Sequence, residues 1–188
     1  TRHGFKKLPF SSQHNFTANF YSSTSGYDFE YSGEFTEVIS NWSLLLKGKI
    51  TSDNYSFNFF GWGNESKYNR DINLDFYRVK KEEVSFSSSL LKRFRGGSLV
   101  RATSTFEAIE IEDTPGRNIN SFNNQPTNIF DTNYFIGAEL FFNHNRVDNN
   151  SFPTKGMNFK LLGGAKMNLE NSIRHFGYLQ SSLAIYQN

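Results

Sequence analysis

The side chains able to do chemistry in this chain are its four histidines, its carboxylates and its basic residues. His3, His14, His144 and His175 share no spacing that would bring two imidazoles to one metal ion, and no His-Glu-x-x-His pair occurs. They read as exposed or inward-facing histidines. Glu107, Glu110, Glu112 and Asp113 form the densest acidic cluster and could in principle offer oxygen ligands to a divalent cation. Strand alternation, however, sends Glu110 and Glu112 to one face and Glu107 to the other, so the cluster reads as a solvated strand end. Glu82 and Glu83 stand beside Lys80 and Lys81, an arrangement that compensates charge rather than building a general acid/base pair. No Gly-x-Ser-x-Gly elbow exists, and Gly61-Trp62-Gly63-Asn64 lacks the downstream glycine and helix of a nucleotide loop. The absence of cysteine excludes disulfides, thiolate zinc sites and a cysteine nucleophile. The expectation is therefore a chain with no catalytic residue, no metal ligand and no cofactor.

The elements that would position these groups announce themselves between Tyr27 and Phe35. Tyr27, Phe29, Tyr31 and Phe35 occupy one set of alternate positions, and Asp28, Glu30, Ser32 and Glu34 the other. Only a two-faced β-strand uses that pattern. Large aromatics opposite charges suit a wall with lipid on one side and water on the other, rather than the aliphatic face of a soluble sandwich. Composition agrees: hydrophobic residues make up only 37% of the chain, yet 21 of its residues are Phe. Mean hydropathy is -0.58, low for a large dry core but ordinary for a barrel whose apolar residues form a thin external band. The longest apolar runs are short, such as Leu44-Leu45-Leu46, so any membrane crossing must use strands.

The alternation predicts about nine strands, over 14–24, 26–39, 42–52, 54–62, 74–91, 96–111, 132–146, 156–169 and 172–187. Short connections (22–26, 40–41) contrast with long ones rich in Asn, Asp, Gly and Pro (63–73, 113–132), which are expected to be extracellular. Tyr134, Ile136, Ala138, Leu140 and Phe142 form one apolar row, and Met157, Phe159, Leu161, Gly163, Ala165, Met167 and Leu169 another; both are assigned to lipid. The opposite rows suit water, except that Phe135, Phe141 and Leu162 fit less well. Lys92, Arg93, Arg95 and Arg101 surround Phe94-Arg95-Gly96-Gly97, which reads as a turn at a membrane surface. The formal charge of +2 is spread along the chain, leaving no basic stripe for nucleic acid. Triplets such as Asn15-Phe16-Thr17 and Asn41-Trp42-Ser43 fall in predicted strands or tight turns and are not read as glycosylation sites.

The most specific segment is Asp148-Asn149-Asn150-Ser151-Phe152-Pro153-Thr154-Lys155-Gly156. Pro153 cannot donate to a ladder and must sit in a turn, while Gly156 can take the positive φ that reopens the next strand.

This turn resembles the Asp-containing Phe-Pro-Thr-x-Gly hairpin of the bacterial surface antigen family, the BamA/TamA-type outer-membrane assembly and translocation barrels. Phe59-Phe60-Gly61-Trp62-Gly63-Asn64-Glu65-Ser66, and Asp75-Phe76-Tyr77-Arg78-Val79 leading to Glu83-Val84-Ser85-Phe86, also look like the Bacteroidota versions of that barrel, some of which follow a calcineurin-like phosphoesterase domain. The family-motif turn is carried by Asp148, Phe152, Pro153, Thr154 and Gly156. Asn145 stands where the family has its first Asp, and Arg146 is one position out of step with its Arg, so the ion pair of relatives is not carried over. The family's Arg-Gly-Phe/Tyr lumen loop is missing; Arg95-Gly96-Gly97 does not match it in context.

The resemblance implies an all-β, antiparallel transmembrane β-barrel of about sixteen strands, with about nine present over 1–188 as the portion preceding the lumen loop. Thr1-Arg2-His3-Gly4 has no basic start and apolar stretch of a secretory signal, so a removed signal or a piece of a longer chain is expected. The resemblance further implies the bacterial outer membrane, with its lipid, nascent outer-membrane proteins and periplasmic or lipoprotein accessory subunits as partners, no nucleic acid, and no chemistry in the barrel itself. A passive channel, a receptor barrel or a membrane anchor for a fused phosphoesterase are the alternatives.

Overall fold

The computed structural model describes residues 10–61, 63, 66–122, 129–170 and 175–187. Trp62, Asn64 and Glu65 of the family-like segment, His3, and residues 123–128 of the second long connection lie outside the described residues.

Nine strands form one antiparallel sheet: β1 Ser12–Tyr21, β2 Gly26–Ile39, β3 Trp42–Thr51, β4 Ser56–Asn58, β5 Arg78–Arg93, β6 Ser98–Ile111, β7 Asn133–Val147, β8 Gly156–Asn168 and β9 Phe176–Tyr186. Their order in the sheet is β1-β2-β3-β5-β6-β7-β8-β9, with β4 also paired to β5. Every neighbour is antiparallel, and β1 and β9 each have a single partner, so the sheet is open at both edges.

Two expected strands prove to be one interrupted strand. Thr51 pairs with Glu83 and Ser56 with Lys80, so residues 52–55 of one side stand against 81–82 of the other. β4 therefore continues β3 in the same direction along β5 past a bulge. It does not extend to 62 as expected, because the chain turns away through Gly61 at φ +130°. The expected strand 74–91 is corrected at its start. Leu74–Tyr77 is a single helical turn, α1, because the Asn73 side chain accepts a hydrogen bond from the Asp75 amide at 3.0 Å and caps it. Likewise β1 stops at Tyr21, before a turn that needs Ser25 at φ +56°, and β9 begins at Phe176 rather than 172, with 171–174 outside the described residues.

The hairpins explain the register. Ser40 and Asn41 both take positive φ between the paired Ile39 and Trp42, the two-residue turn whose twist matches that of its strands. Gly96 and Gly97 do the same work between β5 and β6; a Cβ on Gly97 would sit 2.0 Å from the Asn145 carbonyl oxygen. These tight turns and the 148–155 turn lie at one end of the sheet, hereafter the short-turn end.

The two long connections lie at the other end and do not hang free. Asn118–Ser121 forms a 3-10 turn, and Ile119 and Ile129 pack on Val79 with Phe59, Ile111 and Phe130 around them. The Asn118 side chain donates to the Phe59 carbonyl at 3.0 Å, and Arg117 donates to the Asp75 carbonyl, tying the two connections together. Tyr77, Phe60 and Tyr68 make a second small cluster beside α1. Among the described residues only Tyr77, Val79, Leu91, Ile119 and Ile129 are buried hydrophobics, so the sheet has no conventional core.

Candidate functional site: a two-faced wall and its turn motif

Residues directly opposite in an antiparallel ladder point to the same face, so the registers assign every side chain to a side. Phe29, Ile50, Val84 and Ala108 share one face with Ile136, Leu140, Leu161 and Leu179. From Val84, Ala108, Tyr134 and Met167 at its upper rim to Leu90, Ala102, Leu140 and Gly163 lower down, this outer face carries no Asp, Glu, Lys or Arg. Its side chains stand out from the sheet: Phe16 is 79% exposed, Leu140 58% and Leu179 78%. Above the row in which Arg146 stands opposite Met157, Phe159 to Met167 spans eight residue steps, about 26 Å of strand, which at the usual barrel tilt of about 40° covers about 20 Å of height, against about 25 Å for the apolar band of membrane barrels. The sequence assignment of the β7 and β8 rows to one face is what the register gives.

The opposite, inner face is polar and internally paired. Lys49 lies 3.9 Å from both Glu30 and Glu83, and Lys81 reaches Glu83 at 2.6 Å. Lys166 pairs with Glu107, and Arg101 with Glu139 at 3.2 Å. The Tyr178 hydroxyl donates to the same Glu139 at 2.9 Å, its ring lying across Gly164, where a Cβ would come within 2.7 Å of the ring. The two misfit aromatics find their reason here. Phe141 lies under the Arg101 guanidinium at 5.1 Å and Phe135 under the Lys166 ammonium at 5.6 Å, so both serve as seats for cations. Nothing in their own sequence neighbourhood signals this, because each cation comes from another strand.

At the long-loop end the outer face changes from apolar to charged. Below the level of Glu82 and Glu110, which are paired, the outer residues are Val84, Phe86, Phe106 and Ala108 and the inner ones Glu83, Ser85 and Glu107, with Ile109 opposite Glu83. Above it the outer residues are Lys80 and Glu112, joined at 2.9 Å, while on the inner side Lys81 keeps its pair with Glu83 and Val79 and Ile111 lie under the packed connections. The alternation near Phe76 to Glu83 looks weak in the sequence because the helical turn falls inside it and charges occupy both faces from Lys80 to Glu83.

The acidic cluster is dispersed accordingly. Glu107 belongs to the inner face, Glu110 and Glu112 to the outer, and Asp113 accepts from the Asn120 amide at 2.6 Å. Thr114 and Lys80 hold the Glu112 carboxyl below the usual carboxylate range. Among the described residues no group of three His, Cys, Asp or Glu could hold a metal ion. His14, His144 and His175 are apart, contacting Tyr31, Ser98 and the Asn168 carbonyl.

The motif turn is built around Asp148. Its carboxylate accepts from the Thr154 amide at 2.9 Å, the Thr154 hydroxyl at 2.5 Å and the Lys155 amide at 3.0 Å, and these donors hold it well below the usual carboxylate range. The Thr154 hydroxyl contributes most, then the Lys155 and Thr154 amides. Pro153 sits beyond the ladder; Gly156 adopts φ +125° and reopens it opposite Val147, in a place where a Cβ would sit 2.1 Å from the Arg146 carbonyl oxygen. Phe152 is 80% exposed at the tip. Asn145 bonds through its side chain to Asn150 and Asn158, both at 2.9 Å.

The fold and its two faces define the class: an all-β protein made of one open antiparallel meander, with one apolar and one ion-paired side. No family model, curated protein or solved structure matches the chain.

Proposed function

We propose that this chain is part of the wall of a bacterial outer-membrane barrel, and that the complete barrel helps to insert or translocate outer-membrane or surface proteins. The observation that carries the membrane reading is the change of the outer face from Val84 and Ala108 to Glu82 and Glu110, and then to Lys80 and Glu112. A sheet in water has no reason to end its apolar side chains on one face at the same level on two strands. A wall leaving hydrocarbon has one, since its outer face meets water above that level while its inner face meets the packed loops. The charge-free outer face and the inner ion pairs support the same reading.

The assembly role rests on the resemblance of the turn, whose Asp148, Thr154 and Gly156 are each used structurally. Such work needs no cofactor and no catalytic side chain. It draws on a strand seam able to open, and β1 and β9 are the strands at the two ends of the sheet. The test is a disulfide placed between β1 and the strand that pairs with it in the complete barrel. Insertion of client proteins that stops on oxidation and returns on reduction supports the role; insertion that continues with the seam locked ends it.

One observation favours a second reading, a passive channel or receptor. The inner face holds a groove of about 430 Å³ lined by Glu30, Lys47, Lys49 and Glu107 among others. For a channel, Glu30→Gln or Glu34→Gln would change ion selectivity in planar bilayers.

A further inference from the structure

The short-turn end of the outer face is chemically unlike the rest of it. Trp42, the first residue of β3, and Lys92 are directly opposite, in one row with Val100 and Phe142 at the lower margin of the charge-free face. The Lys92 ammonium lies 5.2 Å from the Trp42 ring centroid and 5.5 Å from that of Phe94. Arg146 projects from the same face below it, opposite Met157. Neither cation has an ion-pair partner among the described residues. The nearby Asp148 does not serve, because its own turn saturates it. At the opposite end the exposed charge is mainly acidic, with Asp71, Asp75, Glu110, Glu112, Asp113 and Asp131.

A lysine held over two aromatic rings at the edge of an apolar band is placed where a headgroup phosphate would stand. The rings take the depth of the lipid carbonyls and restrict the ammonium to the plane just outside them. Resting on the membrane reading above, we propose that Lys92, braced by Trp42 and Phe94, and Arg146 together bind the headgroups of anionic phospholipids at the short-turn end. The charge distribution gives this preference to one leaflet only, the one that meets the tight turns.

Trp42 reports on its own site. The full native protein, with every other tryptophan (Trp62 included) replaced by Phe, is reconstituted into vesicles of phosphatidylcholine mixed with phosphatidylglycerol, and quenching of Trp42 is compared when one or the other lipid carries brominated chains. Brominated phosphatidylglycerol is expected to quench more strongly, and each of Lys92→Gln and Arg146→Gln to reduce the relative affinity about fivefold. Lys92→Arg keeps the preference and controls for folding. Equal quenching by the two lipids, or a preference that survives the Lys92→Gln/Arg146→Gln double variant, overturns the proposal while leaving the wall in lipid. No quenching by either lipid removes the membrane reading as well.

Discussion

Leu140→Arg puts the two-faced wall to its most direct test. Leu140 lies on the outer face in the row Leu44, Leu90, Ala102, Leu140, Gly163 and Leu179, and it is 58% exposed. In water a side chain so exposed would tolerate Arg within about 0.5 kcal/mol. In hydrocarbon near the bilayer midplane the same change costs about 2 to 4 kcal/mol, roughly thirty- to several-hundred-fold in the folding equilibrium. The inner control is Thr105→Arg, opposite Ser87 and Gly137, where water and nearby carboxylates should hold the cost under about 1 kcal/mol. The assay is reversible denaturant unfolding of the full protein in phospholipid vesicles, followed by tryptophan fluorescence. Carrying the Arg substitution along the outer positions of β6 should trace a profile that peaks near Ser104 and falls to about 0 to 1 kcal/mol toward Ala108, below the native Glu110. A Leu140→Arg cost equal to that of Thr105→Arg, or a flat profile, would refute the assignment of faces.

Other consequences are more local. Gly164→Ala should cost about 1 to 3 kcal/mol through overpacking against the Tyr178 ring, and a double-mutant cycle with Tyr178→Ala should recover part of the loss. Ile119→Ala, at a side chain 2% exposed, should cost about 2 to 5 kcal/mol of local stability and appear as faster proteolysis within the packed loops, with the strands unaffected. Asp148 has a folded-state pKa below its unfolded value, so its contribution to the turn is fully present above about pH 4 and is lost only as pH falls through the lower folded value. Carboxyl NMR should find it still ionised at pH 4, and Asp148→Ala should speed hydrogen exchange at the Thr154 and Lys155 amides.

The sequence displayed the strands wherever both faces were chemically distinct from end to end. Tyr27 to Phe35, Tyr134 to Phe142 and Met157 to Met167 alternate with only Phe135, Phe141 and Leu162 out of character, and their sides follow directly. It failed where tertiary packing replaced the alternation. Asn73 diverts 74–77 into a helical turn that the hydrophobic pattern cannot announce. The inward-packed connections depend on Ile119 and Ile129 meeting Val79, from segments about 40 to 50 residues apart in the chain. Asp148, Thr154 and Gly156 were legible because a tight turn concentrates its constraints within nine residues. The Arg101–Phe141 and Tyr178–Glu139 contacts were not, since each joins separate strands and needs the register first.

The merging of β3 with β4 bears on how such a wall could close. In a simple up-and-down sheet, nine successive strands would leave edge strands running parallel, whereas eight leave them antiparallel. Because β4 continues β3 beside β5, the sheet has eight positions across, and β1 runs opposite to β9. The edges also agree in facing. Phe16 and Phe20 on β1 and Leu179, Leu183 and Ile185 on β9 all lie on the outer side, while Thr17 and Gln180 lie on the inner. Antiparallel closure that keeps lipid outside and water inside is therefore open to this sheet only with an even number of added strands, zero included. Eight more would give a sixteen-stranded barrel, and an odd number would force one parallel seam. Cysteine cross-linking of β1 and β9 to their neighbours in the complete barrel reads the direction of each seam, and a parallel register at either would show that the added strands are odd in number.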